Sequence, residues 1–222
     1  MLVVFDVNET LSDLGLMGQC FADVGAPEHL AKLWFGSILR DGFALTAAGS
    51  TQQFATIGRE LLGGMLAPLS LNRGTGAAVE HIMTGFLELP LHADVAPGVA
   101  QLREAGHRLV TLTNGSTNVS EELFRRGGIR DHFEALLSVD DAGAWKPNRR
   151  AYEYAGRACN TELADMLLVA VHPWDIDGAA RAGMETAWLN RSGSEYPSYF
   201  TKPTHVVTTL PELAARLRGD RA

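Results

Sequence analysis

Six short, mostly apolar runs recur along this chain, and each stops at a polar or small residue: LVVF (2–5), RLVTL (108–112), ALL (135–137), MLLVAV (166–171), TAWL (186–189) and HVV (205–207). A strand with one wet face alternates apolar and polar residues, whereas a strand covered on both faces does not. These runs do not alternate, so they predict the buried strands of a parallel sheet. Helix-like segments lie between them at 99–105, 117–126, 149–159 and 176–182. Pro97-Gly98 and Lys146-Pro147 precede two of these; Gly106, Gly127-Gly128 and Gly183 follow three. Proline near a helix start and glycine just past its end are the expected punctuation. From about residue 92 onward the β-α-β-α order predicts an α/β fold with a doubly wound, Rossmann-like sheet.

Residues 13–91 read differently. Helix-like pieces at 18–24, 27–39, 51–62 and 77–87 carry no convincing strand, and Gly63-Gly64 and 68–76 read as breaks. The expected organisation is a core of 1–12 and 92–222 with a helical cap of 13–91 inserted after the first strand. A chain of 222 residues suits a core with one such insertion. Its net charge of −7, with no basic cluster, disfavours nucleic acid and favours a small-molecule partner. Cys20 and Cys159 fit no metal-ligand spacing and make no disulfide framework. The start lacks the pattern of a signal peptide, and no apolar run reaches bilayer length. A soluble, cytoplasmic protein without membrane contact is expected.

In open α/β sheets ligands bind outside the carboxyl ends of the strands. Four such ends carry polar groups here: Asp6 with Asn8 and Thr10, Thr113-Asn114-Gly115-Ser116, Lys146 in a loop, and His172-Pro173-Trp174-Asp175. A carboxylate at the tip of a buried strand is costly unless something stabilises it. One polar strand end is usually a cap or a turn; four converging on one edge favour an active site.

In their order and spacing these residues resemble the haloacid dehalogenase superfamily over almost the whole chain. Asp6 stands where that family has its nucleophile, with Thr10 four residues on, Thr113 as the second motif, Lys146-Pro147 as the third and Asp175 in VHPWD as the fourth. Phosphatases of the superfamily resemble one another in a second Asp, which protonates the leaving oxygen, and in a further Asp that holds Mg²⁺. Asn8 and Val171 stand at those positions. An amide is no general acid and a valine binds no cation. A halide leaves without protonation, so the resemblance points to the type II 2-haloacid dehalogenases. Tyr152, six residues after Lys146, and Trp174-Asp175 strengthen it.

The resemblance implies a hydrolase of carbon–halogen bonds. Asp6 displaces halide from a small 2-haloalkanoic acid, and water hydrolyses the aspartyl ester. No cofactor is expected, with Mg²⁺ required only in a phosphatase-like alternative, and a homodimer is possible by family analogy. A catalytically silent binding protein on the same fold is the third reading. The expected catalytic residues are Asp6, Thr10, Thr113, Lys146, Asp175 and His172; the expected substrate contacts are Asn8, Asn114, Tyr152, Arg40, Trp34 and Trp174; no metal ligand is expected.

Several roles stay open at this level. Asn8 can also shape its loop, and Tyr152 alone reads as helix packing. Asp175 can orient Lys146, activate water or cap the helix at 176–182. His172 reads equally as base, anion contact or structural residue. Trp34, Phe35, Trp145 and Trp174 can wall a dry pocket or be ordinary core. The subfamily places a cap arginine two residues after a tryptophan, and here Gly36 follows Trp34 in that position. Arg40, one helical turn further, is the candidate replacement.

Overall fold

The computed structural model describes residues 1–219. Six parallel strands form one sheet: β1 (Leu2–Phe5), β2 (Arg108–Thr113), β3 (Ala135–Ser138), β4 (Met166–Ala170), β5 (Glu185–Leu189) and β6 (His205–Val207), in the order β3-β2-β1-β4-β5-β6. Val4 of β1 pairs Val110 on one side and Leu168 on the other. Chain order reverses direction between β1 and β4, the position at which such sheets open a crevice.

The non-alternating runs have a direct cause. Leu2 and Val4 pack into one core with Val110, Leu112, Leu168 and Ala170, while Val3 and Phe5 enter a second core with Leu109, Leu167 and Val169. Successive side chains of a strand point to opposite faces, and here both faces are covered. Helices α5 (Val95–Glu104), α6 (Thr117–Arg126) and α10 (Leu210–Gly219) supply the second core, through residues such as Leu102, Phe124 and Leu213. The short α7 (Val139–Ala142) follows β3; α8 (Arg149–Cys159) and α9 (Pro173–Ala182) supply the first core, through Tyr152, Ala155 and Ile176.

Four helices lie between β1 and α5: α1 (Met17–Ala22), α2 (Leu30–Ala47), α3 (Phe54–Leu66) and α4 (Thr75–Leu87). An isolated antiparallel bridge joins Ser12 to Leu91 at the base of this insertion. The insertion leans on the carboxyl edge of the sheet. Trp145 donates from its backbone N–H to Thr46 Oγ1 at 3.1 Å and from its indole to the Gln52 carbonyl at 3.2 Å. Its ring stacks on Phe54, and a Cβ at Gly42 would stand 2.3 Å from it. Only glycine at 42 lets α2 lie against that indole.

Several helix boundaries differ from the sequence reading, three of them with a clear cause. Gly63-Gly64 does not break α3, because Leu62 and Leu66, one turn apart, are both fully buried. Their burial outweighs a glycine penalty of about 1 kcal/mol per residue. Helix α2 runs to Ala47 rather than 39, held by its contact with Trp145, and α5 begins at Val95, four residues early, with Pro97 inside its first turn. Helices α7 and α10 went unread. Among the described residues no helix is long and apolar enough to cross a membrane.

Candidate active site

Asp6 lies one residue past β1, its N–H still bonded to the Val169 carbonyl at 3.0 Å. The ladder therefore delivers its carboxylate to the crevice. Thr10 donates to Asp6 Oδ2 at 2.6 Å, and the Val171 N–H in turn donates to Thr10 Oγ1 at 3.1 Å. Lys146 Nζ donates to Asp6 Oδ1 at 2.9 Å and to Asp175 Oδ2 at 2.6 Å. Tyr152 donates its hydroxyl proton to Asp175 Oδ1 at 2.6 Å. A carboxylate–ammonium–carboxylate row with a phenol behind it thus lies in the interior, with Lys146 and Asp175 wholly buried.

Burial by itself raises the Asp6 carboxyl, but the Lys146 ammonium, the His172 ring and the Thr10 hydroxyl outweigh it and hold Asp6 below the ordinary carboxylate range. Asp175 goes the other way: burial dominates, Lys146 opposes it, and the nearby Asp6 charge adds to it, so its carboxyl is raised. Burial disfavours the Lys146 ammonium, yet Asp175 and Asp6 together raise it. Burial followed by Asp175 keeps Tyr152 protonated, its hydroxyl pushed well above the ordinary value. The row pairs an ionised nucleophile with a more basic carboxylate.

The loops that hold this row were partly legible. Asn114 accepts from the Lys146 N–H at 3.0 Å and donates to the Lys146 carbonyl at 3.3 Å. One N–H and the oxygen of its amide are thus engaged in positioning Lys146. Tyr152 likewise spends its hydroxyl on Asp175 inside the core. Thr113 Oγ1 accepts from the Gly115 N–H at 3.0 Å, and Ser138, which sequence reasoning missed, donates to the Gly115 carbonyl at 2.7 Å. Ser138 ends β3 as the N-cap of α7, a pattern that a longer reading of ALLS would have flagged. Asp175 does not cap α9. His172 is the N-cap, Pro173 opens the helix, and Asp175 sits in its first turn with its side chain turned to Lys146.

Two expected cap contacts are corrected. Trp34 is fully buried inside the insertion, donating its indole N–H to the Gly58 carbonyl at 2.9 Å and packing edge-on against Phe86. Arg40 points to solvent, its side chain 67% exposed and paired with Asp41 at 2.7 Å. Gly36 is exposed too, with nothing within 4 Å of a Cβ there. From α2 it is Phe35 that stacks on the His172 ring, at 6.3 Å, while Trp174 stacks on it at 4.9 Å; Ala31 and Lys32 of the same helix line the adjoining cavity. Accordingly, Arg40→Ala is expected to change KM for any anionic substrate by less than about twofold, since an exposed pair contributes little. A tenfold rise in a steady-state assay would contradict this placement.

Two cavities flank the loop that follows Asp6. One of about 390 Å³ is lined by Glu9, Phe35, Val171, His172 and Arg191; the other, of about 270 Å³, by Asn8, Phe54, Gly115 and Ser116. The residues do not fit a magnesium site. Lys146 Nζ occupies the space between the two carboxylates, Val171 offers no oxygen side chain, and its carbonyl is taken by the Trp188 indole at 2.9 Å. Among the described residues no group of three or more His, Cys, Asp or Glu could hold a metal ion.

A parallel sheet bearing a buried aspartate at the end of β1, an ammonium shared with a second carboxylate, and a helical insertion over the edge define a class of hydrolases that attack with a carboxylate. The chain belongs to the haloacid dehalogenase-like hydrolase family, whose model matches residues 1–183. It is 28% identical over 210 residues to haloacetate dehalogenase H-2 of Moraxella sp. (strain B), covering 94% of this chain and 93% of that one. It is also 28% identical over 210 residues to the (S)-2-haloacid dehalogenase of Pseudomonas sp. (strain YL), covering 94% and 90%. Among solved structures, a dehalogenase in an intermediate complex superposes with a TM-score of 0.89 at 26% identity, over 97% of this chain and 96% of that chain.

Proposed function

We propose that this protein is a 2-haloacid dehalogenase in which residues 13–91 act as a cap over the site. The observation that carries the reading is what surrounds Asp6: Asn8 and Val171 stand where a phosphatase of this fold needs its proton donor and its metal-holding carboxylate, while Asp6 itself is held ready by Thr10 and Lys146. The relatives named above, dehalogenases by name, support it.

The reaction follows from the row. An Asp6 carboxylate oxygen attacks the carbon bearing the halogen, the carbon–halogen bond breaks, and the halide leaves with its electron pair. Esterified Asp6 no longer carries charge, so Lys146 then has Asp175 as its one remaining counter-ion in the row. Water attacks the ester carbonyl carbon, Asp175 takes the proton, and Lys146 and Thr10 stabilise the oxyanion. Each carboxylate oxygen has two lone pairs, so Asp175 can accept from water while holding Lys146 and Tyr152. Collapse releases the 2-hydroxy acid, which takes up a proton, and restores Asp6.

Halide release from 2-chloropropionate, followed with an ion-selective electrode, tests the reading. Turnover should survive exhaustive dialysis against EDTA undiminished. Loss with EDTA and recovery with Mg²⁺, together with hydrolysis of p-nitrophenyl phosphate, would favour the phosphatase instead. The Asp175→Asn variant should accumulate the alkylated enzyme, seen by mass spectrometry of acid-quenched protein, with kcat lowered about 10²- to 10⁴-fold, the range for loss of a general base. Turnover near the wild-type rate with no accumulated adduct would remove Asp175 as the base.

A further inference from the structure

A haloacid is an anion, and the row it must approach already carries two carboxylates against one ammonium. A desolvated substrate carboxylate needs a cation of its own. Phe35 faces the site from α2, and Arg40 points away. His172 remains. Its Nε2 lies 3.2 Å from the Asn8 carbonyl, 3.6 Å from Asp6 Oδ2 and 3.7 Å from Glu9 Oε2. All three are acceptors, so Nε2 carries a proton, and the ring's second nitrogen, Nδ1, is the one left to meet a ligand. Neutral, Nδ1 presents a lone pair that repels a carboxylate; protonated, it presents an N–H that binds one.

We propose that His172, as an imidazolium lodged between Phe35 and Trp174, pairs the carboxylate of the 2-haloacid in place of a cap arginine, with Glu9 positioning its ring. The proposal rests on the haloacid reading above. Distance separates this role from halide binding. The halogen leaves from the far side of the attacked carbon, whereas the carboxylate sits beside that carbon, within reach of a ring 3.6 Å from the nucleophile. The 390 Å³ cavity exposes the His172 ring to an entering ligand.

Glu9 has an independent mark. It adopts a left-handed backbone, φ 62°, which a residue with a side chain holds only when its surroundings fix it. His92 Nε2 fixes it by bonding the Glu9 carbonyl at 3.0 Å. That conformation sets the Glu9 carboxylate against His172. The charged groups around the ring are Asp6 and Glu9 from the loop after β1, with Lys146 beyond the other Asp6 oxygen. Asp13, Lys32, His92 and Arg191 line the same cavity further out, and Arg191 is already paired with Asp94 at 2.6 Å. Phe35 and Trp174 contribute no charge.

The acid and its neutral amide together test the assignment. His172→Gln should raise KM for 2-chloropropionate roughly ten- to hundredfold, the loss of one charge-assisted hydrogen bond, and should leave KM for neutral 2-chloropropionamide nearly unmoved. Glu9→Gln, removing the carboxylate that positions the ring, should raise KM for the acid in the same direction and by less. In the wild-type protein, unreactive propionate should shift the His172 ring signals followed by NMR, a readout that needs neither turnover nor a stable variant. Ester accumulating in His172→Gln would make His172 the water-activating base and overturn the proposal. Equal losses for acid and amide, or His172 ring signals that propionate leaves unmoved, would overturn it too. A wild-type protein that released no halide from either substrate would sink the haloacid reading itself, and the propionate titration would still decide whether His172 pairs a carboxylate.

Discussion

Asp6→Asn should lose turnover of 2-chloropropionate by roughly 10⁴-fold or more, the scale seen when a nucleophile that acts as part of a unit is removed. The amide is nearly the shape of the acid, so Thr10 can still donate to its oxygen or its neighbour, and Lys146 keeps Asp175 as a buried counter-ion. The fold should therefore survive, with circular dichroism unchanged. No alkylated enzyme should appear in mass spectra of quenched reactions, in contrast to Asp175→Asn. The two variants separate bond formation from ester hydrolysis: the first blocks the adduct and the second traps it. Halide release near the wild-type rate by freshly purified protein, checked for deamidation, would remove Asp6 as the nucleophile.

Sequence carried the core of the fold because buried parallel strands leave continuous apolar runs, and each run here met one strand to within a residue at either end. It carried the row of Asp6, Lys146 and Asp175 because strand ends in such sheets converge on one edge whatever the loops do. What stayed illegible was direction. Arg40 was the candidate by spacing along a helix, one turn beyond the Gly36 that stands in the family's arginine position, but α2 turns Phe35 inward and leaves both of them in solvent. Which face of α2 meets the site depends on the contact of Gly42 with Trp145, a residue more than a hundred positions away. Likewise Asn114 and Tyr152 belong to the site by position, yet their polar atoms are spent on Lys146 and Asp175. Only the partner geometry shows that they hold Lys146 and Asp175 in place.

Lys146→Met should destabilise the protein more than any other change to the row. Methionine fills much the same volume, so the effect is electrostatic. It leaves Asp6 and Asp175 buried, adjacent and without their shared cation. Breaking a buried pair by removing one partner costs about 3–5 kcal/mol, a fall in Tm of roughly 10 °C or more for a chain of this size. Protonation is the escape. Without Lys146 the folded-state values of both carboxyls lie above their unfolded values, through burial and mutual repulsion. The variant then keeps its stability below the ordinary carboxylate range and loses it as pH rises through the raised values. The wild type behaves oppositely at Asp6, whose lowered carboxyl contributes stability that is lost only as pH falls through the folded-state value. The difference between the two proteins should therefore be small in acid and largest near neutrality. Adding Asp175→Asn to Lys146→Met should recover part of the loss at neutral pH, because it removes one of the two repelling charges and gives a coupling measurable as a double-mutant cycle. Thermal melts across the acid-to-neutral range would read all of this. A deficit independent of pH, or no recovery in the double variant, would show that Lys146 acts through packing and that the buried charges are not coupled as the geometry requires.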